Sequence, residues 1–240
     1  MATGSKASPR SGLAGSQASG GDRREWLRQR QAELRRNHVL DAAEEVFGSQ
    51  GFAGATMREI AAVAGFSPTS VYNQFESKDE LFAAIMDRHG SVLLDLHREL
   101  ISSEGSVTER LHRLIDRKIS YHLSHPEFSR LYQRTIGISL LGIESLDSTS
   151  YARFHELMDV MATLFREGME NGEFYSGDPT HHTMLFSGMV EGHLARVLFD
   201  EPETAAARQA FHDAAARAFV KSEPPRQPAV PTLPASDLGR

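Results

Sequence analysis

Apolar residues recur at helical spacing through most of residues 22 to 221, and strand-like alternation does not persist in any segment. The first predicted helix runs from about residue 26 or 30 to residue 49 and is ended by Gly51. Its apolar stripe consists of Val39, Leu40, Ala43, Val46 and Phe47. This pattern predicts an all-α chain.

Longer helices are predicted after residue 77. Ser77 and Glu80 fit a capping box that opens a long helix. His125 precedes Pro126 and therefore disfavours the helical region, so one helix ends there and Pro126 begins the next. The predicted spans are 77–103, 106–124, 126 to about 141, 151–170, 179–199 and 203–221, with a loop at 142–150. The Gly-, Ser- and Ala-rich residues 1–21 are predicted to be a disordered tail, and residues 222–240 a Pro-rich tail.

Residues 56 to 75 contain two short helices separated by a tight turn. Thr56 and Glu59 fit the capping box that starts the first of them. Gly65 stands where a left-handed residue is needed, because glycine adopts positive φ without steric cost. Ser67 followed by Pro68 is a second helix start. A helix, a turn containing glycine and a second helix make a helix-turn-helix.

The second short helix sorts its residues by face. Successive residues advance by about 100°, so Val71 and Phe75 point into the domain. The outward set consists of Thr69 and Asn73, with Ser70 and Tyr72 on the flanks. Hydroxyl, amide and phenol groups can bond base edges and phosphates in a major groove. The alternative is a solvated face on any small helical bundle, but the caps, the glycine turn and the polar face together favour DNA.

The segment from residue 36 to about 86 resembles the DNA-binding domain of the TetR family of transcriptional regulators. The resemblance is carried by LDAAEEVF (40–47), Gly51-Phe52, Thr56, IAAVAGFS (60–67), VYNQF (71–75) and SKDELF (77–82). Gln74 stands where the family often has His. The resemblance implies an N-terminal three-helix helix-turn-helix DNA-binding domain, residues 22–86. It also implies a larger C-terminal helical ligand-binding and dimerisation domain, residues 87–221.

For DNA binding, we predict that Thr69, Ser70 and Asn73 read bases of a double-stranded DNA operator. The predicted phosphate-contacting and helix-start residues are Thr56, Ser67, Pro68, Tyr72, Lys78 and Arg36. The net charge is −6, from 26 Lys and Arg against 32 Asp and Glu, yet six arginines lie between residues 23 and 36. This arginine-rich lead-in is a candidate DNA-contacting arm, and an ordinary solvated helix start is the alternative.

Residues 179 to 199 form a helix that is apolar on all sides, which predicts burial on all sides. Gly188, Gly192 and Ala195 form a small-residue stripe that would let another helix come close. The resemblance implies a homodimer joined by a four-helix interface. The predicted interface residues are Met161, Phe165, Met184, Gly188, Gly192 and Ala195.

The middle helices place polar side chains among aliphatic ones, and the resemblance implies an apolar cavity there for a small-molecule effector. The predicted ligand-binding residues are Tyr121, His122, Tyr132, Arg134 and His155. We predict an apolar effector with one polar or acidic end, since Arg134 could hold a carboxylate. The alternative for each residue is an ordinary core or surface role.

Several classes of protein are disfavoured. The chain has no cysteine, no segment of roughly 20 apolar residues and no apolar signal region, so we expect a cytoplasmic protein with no membrane partner. No nucleophile elbow, P-loop or dinucleotide motif occurs, and we assign no catalytic residue and no cofactor. The eleven histidines form no compact metal-ligand set, although His182 and His193 share one side of a helix.

These observations predict a ligand-responsive transcriptional regulator, a repressor that a small, mainly apolar molecule releases from a palindromic operator. The sequence does not distinguish a repressor from an activator. The alternative class is a helical small-molecule-binding or enzymatic protein that merely retains a helix-turn-helix.

Overall fold

The computed structural model describes residues 20–137 and 148–221, and these are helical almost throughout. The helices are α1 Gly20–Gly54, α2 Met57–Val63, α3 Pro68–Tyr72, α4 Lys78–Ile101, α5 Val107–Ser124, α6 Pro126–Tyr132, α7 Ser148–Glu170, α8 Pro179–Phe199 and α9 Ala205–Phe219. None of the described helices combines the length and apolar character needed to cross a bilayer. Residues 1–19 of the predicted tail 1–21, the predicted tail 222–240, and residues 142–147 of the predicted loop 142–150 lie outside the described residues, whereas residues 20–21 and 148–150 are helical.

Helix α1 begins earlier than the apolar pattern predicted, at Gly20 rather than at residue 26 or 30. Residues 22–38 are exposed, so no apolar stripe marks this part of the helix. Good helix formers occupy it, and ion pairs one turn apart join Arg28 to Glu25 and Arg30 to Glu33. The helical path is broken at Gly51, whose φ of 77° is the left-handed conformation that the glycine was predicted to supply.

Helix α6 is shorter than predicted. It ends at Tyr132, and Gln133–Gly137 continue the chain as a π-helix. The π-helical turn widens the backbone spiral at a point where Gln133 reaches into the interior. The apolar pattern carries no signal for this change of pitch.

Helix α4 links the two parts of the molecule. Its first half buries Leu81 and Ile85 against α1, whereas its second half buries Leu93 and Leu100 in the larger helical layer, where α4 packs along α7. Helix α1 also packs directly on α6. The predicted domain boundary at residue 86 therefore falls inside a continuous helix, and the N-terminal domain contacts the larger domain through both α1 and α4.

The C-terminal end is closed by an aromatic cluster. Phe165, Phe174, Phe186 and Phe219 are fully buried and lie with ring centroids 5.1–6.1 Å apart where they pair. An isolated antiparallel bridge between Phe174 and Val220 ties the α7–α8 connection to the end of α9. These contacts fix α8 and α9 side by side on one edge of the molecule.

Candidate DNA-binding surface and interhelical cavity

Both short helices begin with the caps that the sequence predicted. The side chain of Thr56 accepts from the Glu59 backbone amide, and the Glu59 carboxylate accepts from the Thr56 amide at 2.9 Å. The Ser67 hydroxyl accepts from the Ser70 amide at 3.2 Å, and Pro68 occupies the first helical position. Gly65, with φ of 67°, turns the chain between them. The turn is therefore held by local bonds that fix the direction of α3.

The outward face of α3 is polar and open. Thr69, Tyr72 and Asn73 are exposed, while Val71 and Phe75 are completely buried beneath them. Ser70 is half-buried because its hydroxyl lies 2.9 Å from that of Ser67. Three of the predicted outward side chains are thus available to a groove, and Ser70 supports the cap instead.

Lys78, which was predicted to contact a phosphate, has partners within the protein. Its ammonium donates to the carbonyl of Ala55 at 3.0 Å and lies 4.6 Å from the centroid of the Phe52 ring. Carbonyls at the end of a helix lack intrahelical partners, so a lysine beneath them satisfies a local need. Lys78 therefore ties the end of α1 to the start of α4.

Arg36 is also engaged within the protein. Its guanidinium donates to the Gln74 carbonyl at 3.0 Å and lies 4.0 Å from the centroid of the Phe75 ring. It joins the base of α3 to α1 and remains exposed, so its predicted phosphate contact stays a prediction. Sequence spacing could not show this, because the two partners are 38 residues apart.

The exposed part of α1 lies beside the outward face of α3. A groove between them is lined by Ala32, Glu33, Arg35, Arg36, Phe66, Ser70, Asn73 and Gln74. The arginine-rich lead-in is therefore a helix that passes next to the candidate base-reading residues. The run of arginines was visible in the sequence, but its position relative to α3 was not.

A second concave feature lies between α4, α5, α6, α7 and α8. It encloses about 610 Å³ including its open mouth. Its walls are mainly apolar, and the described lining residues are Met86, Gly90, Leu93, Lys118, His122, Phe128, Tyr132, Arg153, Phe154, Leu157 and Glu191. A mainly apolar lining with a few polar groups is the composition typical of a small-molecule site.

Two of the five predicted ligand-binding residues, His122 and Tyr132, line this cavity. Tyr121 lies outside it, with its hydroxyl 2.7 Å from Nδ1 of His89. Burial, followed by the charge of Glu44, raises the pKa of Tyr121 to about 12, so its phenol stays uncharged.

Arg134 and His155 are not cavity residues, and the prediction was wrong on both. Arg134 is exposed and donates to the carbonyls of Gly48 and Ser49 at 2.9 and 3.2 Å. The π-helical turn directs it outward to the carbonyls near the end of α1. His155 is exposed and lies 4.4 Å from the Tyr151 ring.

Two charged groups that line the cavity, Lys118 and Glu191, were not predicted from the sequence. The Lys118 ammonium and the Glu191 carboxylate are 3.3 Å apart, with side-chain exposures of 5% and 12%. Gln133 donates to the other oxygen of Glu191 at 2.5 Å. Lys118 lies on the buried face of α5 among Leu111, Leu114 and Ile115, and that placement was the only available signal.

A buried polar network joins α1 to α4 behind the cavity. The Glu44 carboxylate accepts from Nε2 of His89 at 2.8 Å and from Arg88, and Arg88 also donates to Asp41 at 2.6 Å. The His89 ring stacks on Phe128 at a centroid distance of 3.8 Å. Because Phe128 lines the cavity, a short chain of contacts connects the cavity wall to the helix that carries the helix-turn-helix.

The predicted interface residues divide into two groups. Met161 and Phe165 are completely buried in the protomer's own core, so the prediction that they form an interface was wrong. Gly188 and Gly192 are exposed, and a side chain built on either would meet nothing within 4 Å. Met184 and Ala195 are half-buried beside them.

Helix α8 is not buried on all sides within the protomer. Leu185 and Phe199 are 52% and 45% exposed and follow the same edge as the two glycines. On α9, Ala206 and Ala210 are exposed one turn apart. This open α8–α9 face, defined by these exposed residues, is apolar and lined by small side chains.

Comparison with known proteins gives the same assignment as the fold. Residues 39–85 match the family described as bacterial regulatory proteins, tetR family. The chain is 26% identical over 131 residues to the transcriptional repressor NicS of Pseudomonas putida, covering 55% of this chain and 58% of NicS. It is 37% identical over 82 residues to the transcriptional activator FasR of Mycolicibacterium smegmatis, covering 34% and 37%. The chain spans about half the length of the curated relatives it matches.

A solved complex of SmeT with triclosan is 25% identical, with a TM-score of 0.57 over 78% of this chain and 92% of that one. SmeT is the repressor of the multidrug efflux pump SmeDEF of Stenotrophomonas maltophilia. The all-helical fold with its capped helix-turn-helix is the fold of these proteins. Residues 39–85 therefore match the DNA-binding domain of the tetR family, and the chain shares its fold with solved structures of that family.

Proposed function

We propose that this protein is a ligand-responsive repressor that binds a palindromic DNA operator as a homodimer. The observation that carries the proposal is the exposed polar face of α3, where Thr69, Tyr72 and Asn73 stand above a buried apolar base. Residues 22–86 form the DNA-binding domain, and residues 87–221 form the ligand-binding and dimerisation domain. In each protomer α3 enters a major groove, and Asn73 is placed to bond a base edge.

The effector site in this proposal is the cavity bounded by α4 to α8. SmeT, which has the same fold, is described in complex with triclosan, a small molecule. A ligand that displaces Phe128 would press on His89 and thereby on α4 and α1. Because α1 and α4 flank the helix-turn-helix in the chain, movement of these helices would reorient α3 in each protomer. The distance between the two α3 helices of the dimer would then change. Coupling of this kind requires only that the ligand bind the two arrangements with different affinity.

The dimer in this proposal is formed by the open α8–α9 face. Exposed apolar side chains and small residues on two adjacent helices allow a two-fold-related copy to pack closely. A symmetric dimer presents two α3 helices to half-sites about one helical turn apart, near 34 Å. This geometry is the reason to expect a palindrome.

The direct test is selection of bound duplexes from a random library with the full chain at moderate salt, followed by gel shift on the enriched sequence. The expected result is a palindrome of two short half-sites, bound by a dimer. Binding of no duplex would favour a helical small-molecule-binding or enzymatic protein that only retains the helix-turn-helix. An enriched sequence without two-fold symmetry would contradict the dimeric arrangement.

Replacement of Asn73 by alanine should relax base preference at one position of each half-site. A bidentate amide–adenine contact contributes about 1–3 kcal/mol of discrimination. Tyr72→Phe is the matched control, because loss of a phosphate-bonding hydroxyl should weaken all sequences about equally. Gel shifts on operators changed at single positions measure both effects. Unchanged binding by both variants would show that α3 does not enter the groove.

The arginine-rich lead-in should contribute to the salt dependence of binding. Arg23→Gln with Arg24→Gln removes four arginines from the proposed dimer and should lower the slope of log affinity against log salt by up to about 3.6, since about 0.9 is lost per phosphate contact. Arg117→Gln with Arg217→Gln is the control, because both arginines are exposed on the larger domain. Equal slopes in the two double variants would show that the lead-in does not contact DNA.

A further inference from the structure

The charged groups at the cavity already neutralise one another. Lys118 pairs with Glu191 at 3.3 Å, and Arg153 pairs with Asp87 at 2.5 Å. The formal charges that the described lining residues bring to the cavity therefore sum to zero once Asp87 is counted. A ligand with a charged end would add an unbalanced charge beside the buried Lys118–Glu191 pair in a mainly apolar space, which is costly.

His122 adds a hydrogen-bond acceptor rather than a charge. The Ser129 hydroxyl donates its only hydrogen to the carbonyl of His122 at 2.9 Å. The Nδ1 atom, also 2.9 Å from that hydroxyl, must then be the donor, which leaves a lone pair on Nε2. Burial, followed by the charge of Lys118, lowers the pKa of His122 well below its ordinary value, so the ring is neutral.

Further polar atoms beside this pair have unused bonding capacity. Nδ1 of His97 donates to the Leu93 carbonyl at 2.6 Å, so its Nε2 is an acceptor. Within the described part of the chain, that Nε2 and Oε1 of Gln133 are buried without a hydrogen-bond partner, although neither residue lines the cavity. The Lys118 ammonium has three donors, of which Glu191 engages one. The region therefore offers both donors and acceptors.

We propose that this polar end of the cavity binds the hydroxyl of an uncharged ligand, a phenol or alcohol with an apolar body, and rejects carboxylates. A hydroxyl accepts from Lys118 and donates to Nε2 of His122 or to Glu191, and it adds no charge. A carboxylate would lie beside Glu191 and compete with it for Lys118. The inference rests on the proposed function as a ligand-responsive regulator, and it replaces the acidic end that Arg134 suggested.

The test compares 4-hexylphenol with 4-pentylbenzoate, which match in size and differ in charge at about pH 7.5. Isothermal titration of the full chain should show the phenol binding at least about tenfold more tightly, because the carboxylate adds a buried charge beside Glu191. Tighter binding of the benzoate, or binding of neither compound, would overturn the proposal.

Glu191→Gln keeps the shape of the side chain but leaves Lys118 without its counter-charge. This variant should shift the preference toward the benzoate by about tenfold or more, since the carboxylate now supplies the missing partner. Glu156→Gln is the matched control, because Glu156 is an exposed carboxylate on α7 paired with Arg98. An unchanged preference in Glu191→Gln would overturn the proposal that the ligand's polar group binds beside Lys118 and Glu191. If this variant does not fold, the comparison of the two compounds on the wild-type protein tests the proposal.

Gel shift on the selected operator separates this inference from the proposed function. If the operator is bound but the phenol is not preferred over the benzoate, the proposed hydroxyl-binding site is wrong and the proposed regulatory function is retained. If the phenol is preferred but no duplex is bound, the proposed hydroxyl-binding site is retained and the proposed regulatory function is wrong.

Discussion

Gly188→Leu should convert the protein into a folded monomer that binds its operator weakly. A side chain at this position meets nothing within 4 Å in the protomer, so the fold itself should be retained. Across a two-fold axis the added side chain occurs twice and blocks the close approach of two α8 helices. Overpacking of a tight contact costs about 1–3 kcal/mol for each such insertion. A monomer loses the second half-site, which should reduce operator affinity by a factor of about 100 or more.

Light scattering and gel shift measure the two effects separately. Ala152→Leu is the matched control, because it adds a comparable bulk to an exposed position on α7, away from the open α8–α9 face. The control should remain dimeric and bind the operator normally. A dimer in Gly188→Leu and in Gly192→Leu would place the interface on another surface.

The helix-turn-helix was predictable because its determinants are local. The caps at Thr56 and Ser67 and the left-handed Gly65 act within four residues of the backbone groups that they fix. The burial of Val71 and Phe75 follows from helical periodicity alone. Local signals of this kind can be recognised from the sequence alone.

Partners of long side chains were not predictable, because they depend on elements far apart in the chain. Arg134 donates to the carbonyl of Gly48, which is 86 residues away and lies before the kink in α1. Lys78 donates to the carbonyl of Ala55, which is 23 residues away and follows the end of α1. Lys118 and Glu191 are 73 residues apart. The charged residues of one helix do not reveal which distant residues will pair with them in the fold.

Helix α8 shows why an apolar helix can mislead. Its apolar circumference predicted burial on all sides, but the protomer covers only the side that carries Phe186, Val190 and Leu194. The remaining edge, with Leu185 and Phe199, stays exposed. Hydrophobicity indicates that a surface avoids water, and it does not say whether the same chain or a second copy covers it.

Glu44→Gln should destabilise the joint between α1 and α4 strongly. Glu44 is nearly buried and accepts from both Arg88 and His89. Removal of its charge leaves the buried His89 and the half-buried Arg88 facing a neutral amide, and breaking such a pair costs about 3 kcal/mol. Urea unfolding at pH 7 should show this loss. Glu45→Gln, the exposed neighbour, should change stability by about 0.5 kcal/mol or less.

The pH dependence identifies the charge of Glu44 as the cause. Burial alone would raise the pKa of Glu44, but the hydrogen bond and charge of His89, together with Arg88, lower it below its ordinary value of 4.5. Because the folded pKa is the lower one, the stabilisation is complete above pH 4.5 and is lost as the pH falls through the folded value. The difference in the free energy of unfolding between wild type and Glu44→Gln should therefore be constant from pH 7 to 5 and shrink below 4.5. A difference that does not change between pH 7 and 3 would mean that Glu44 acts through packing and not through its charge.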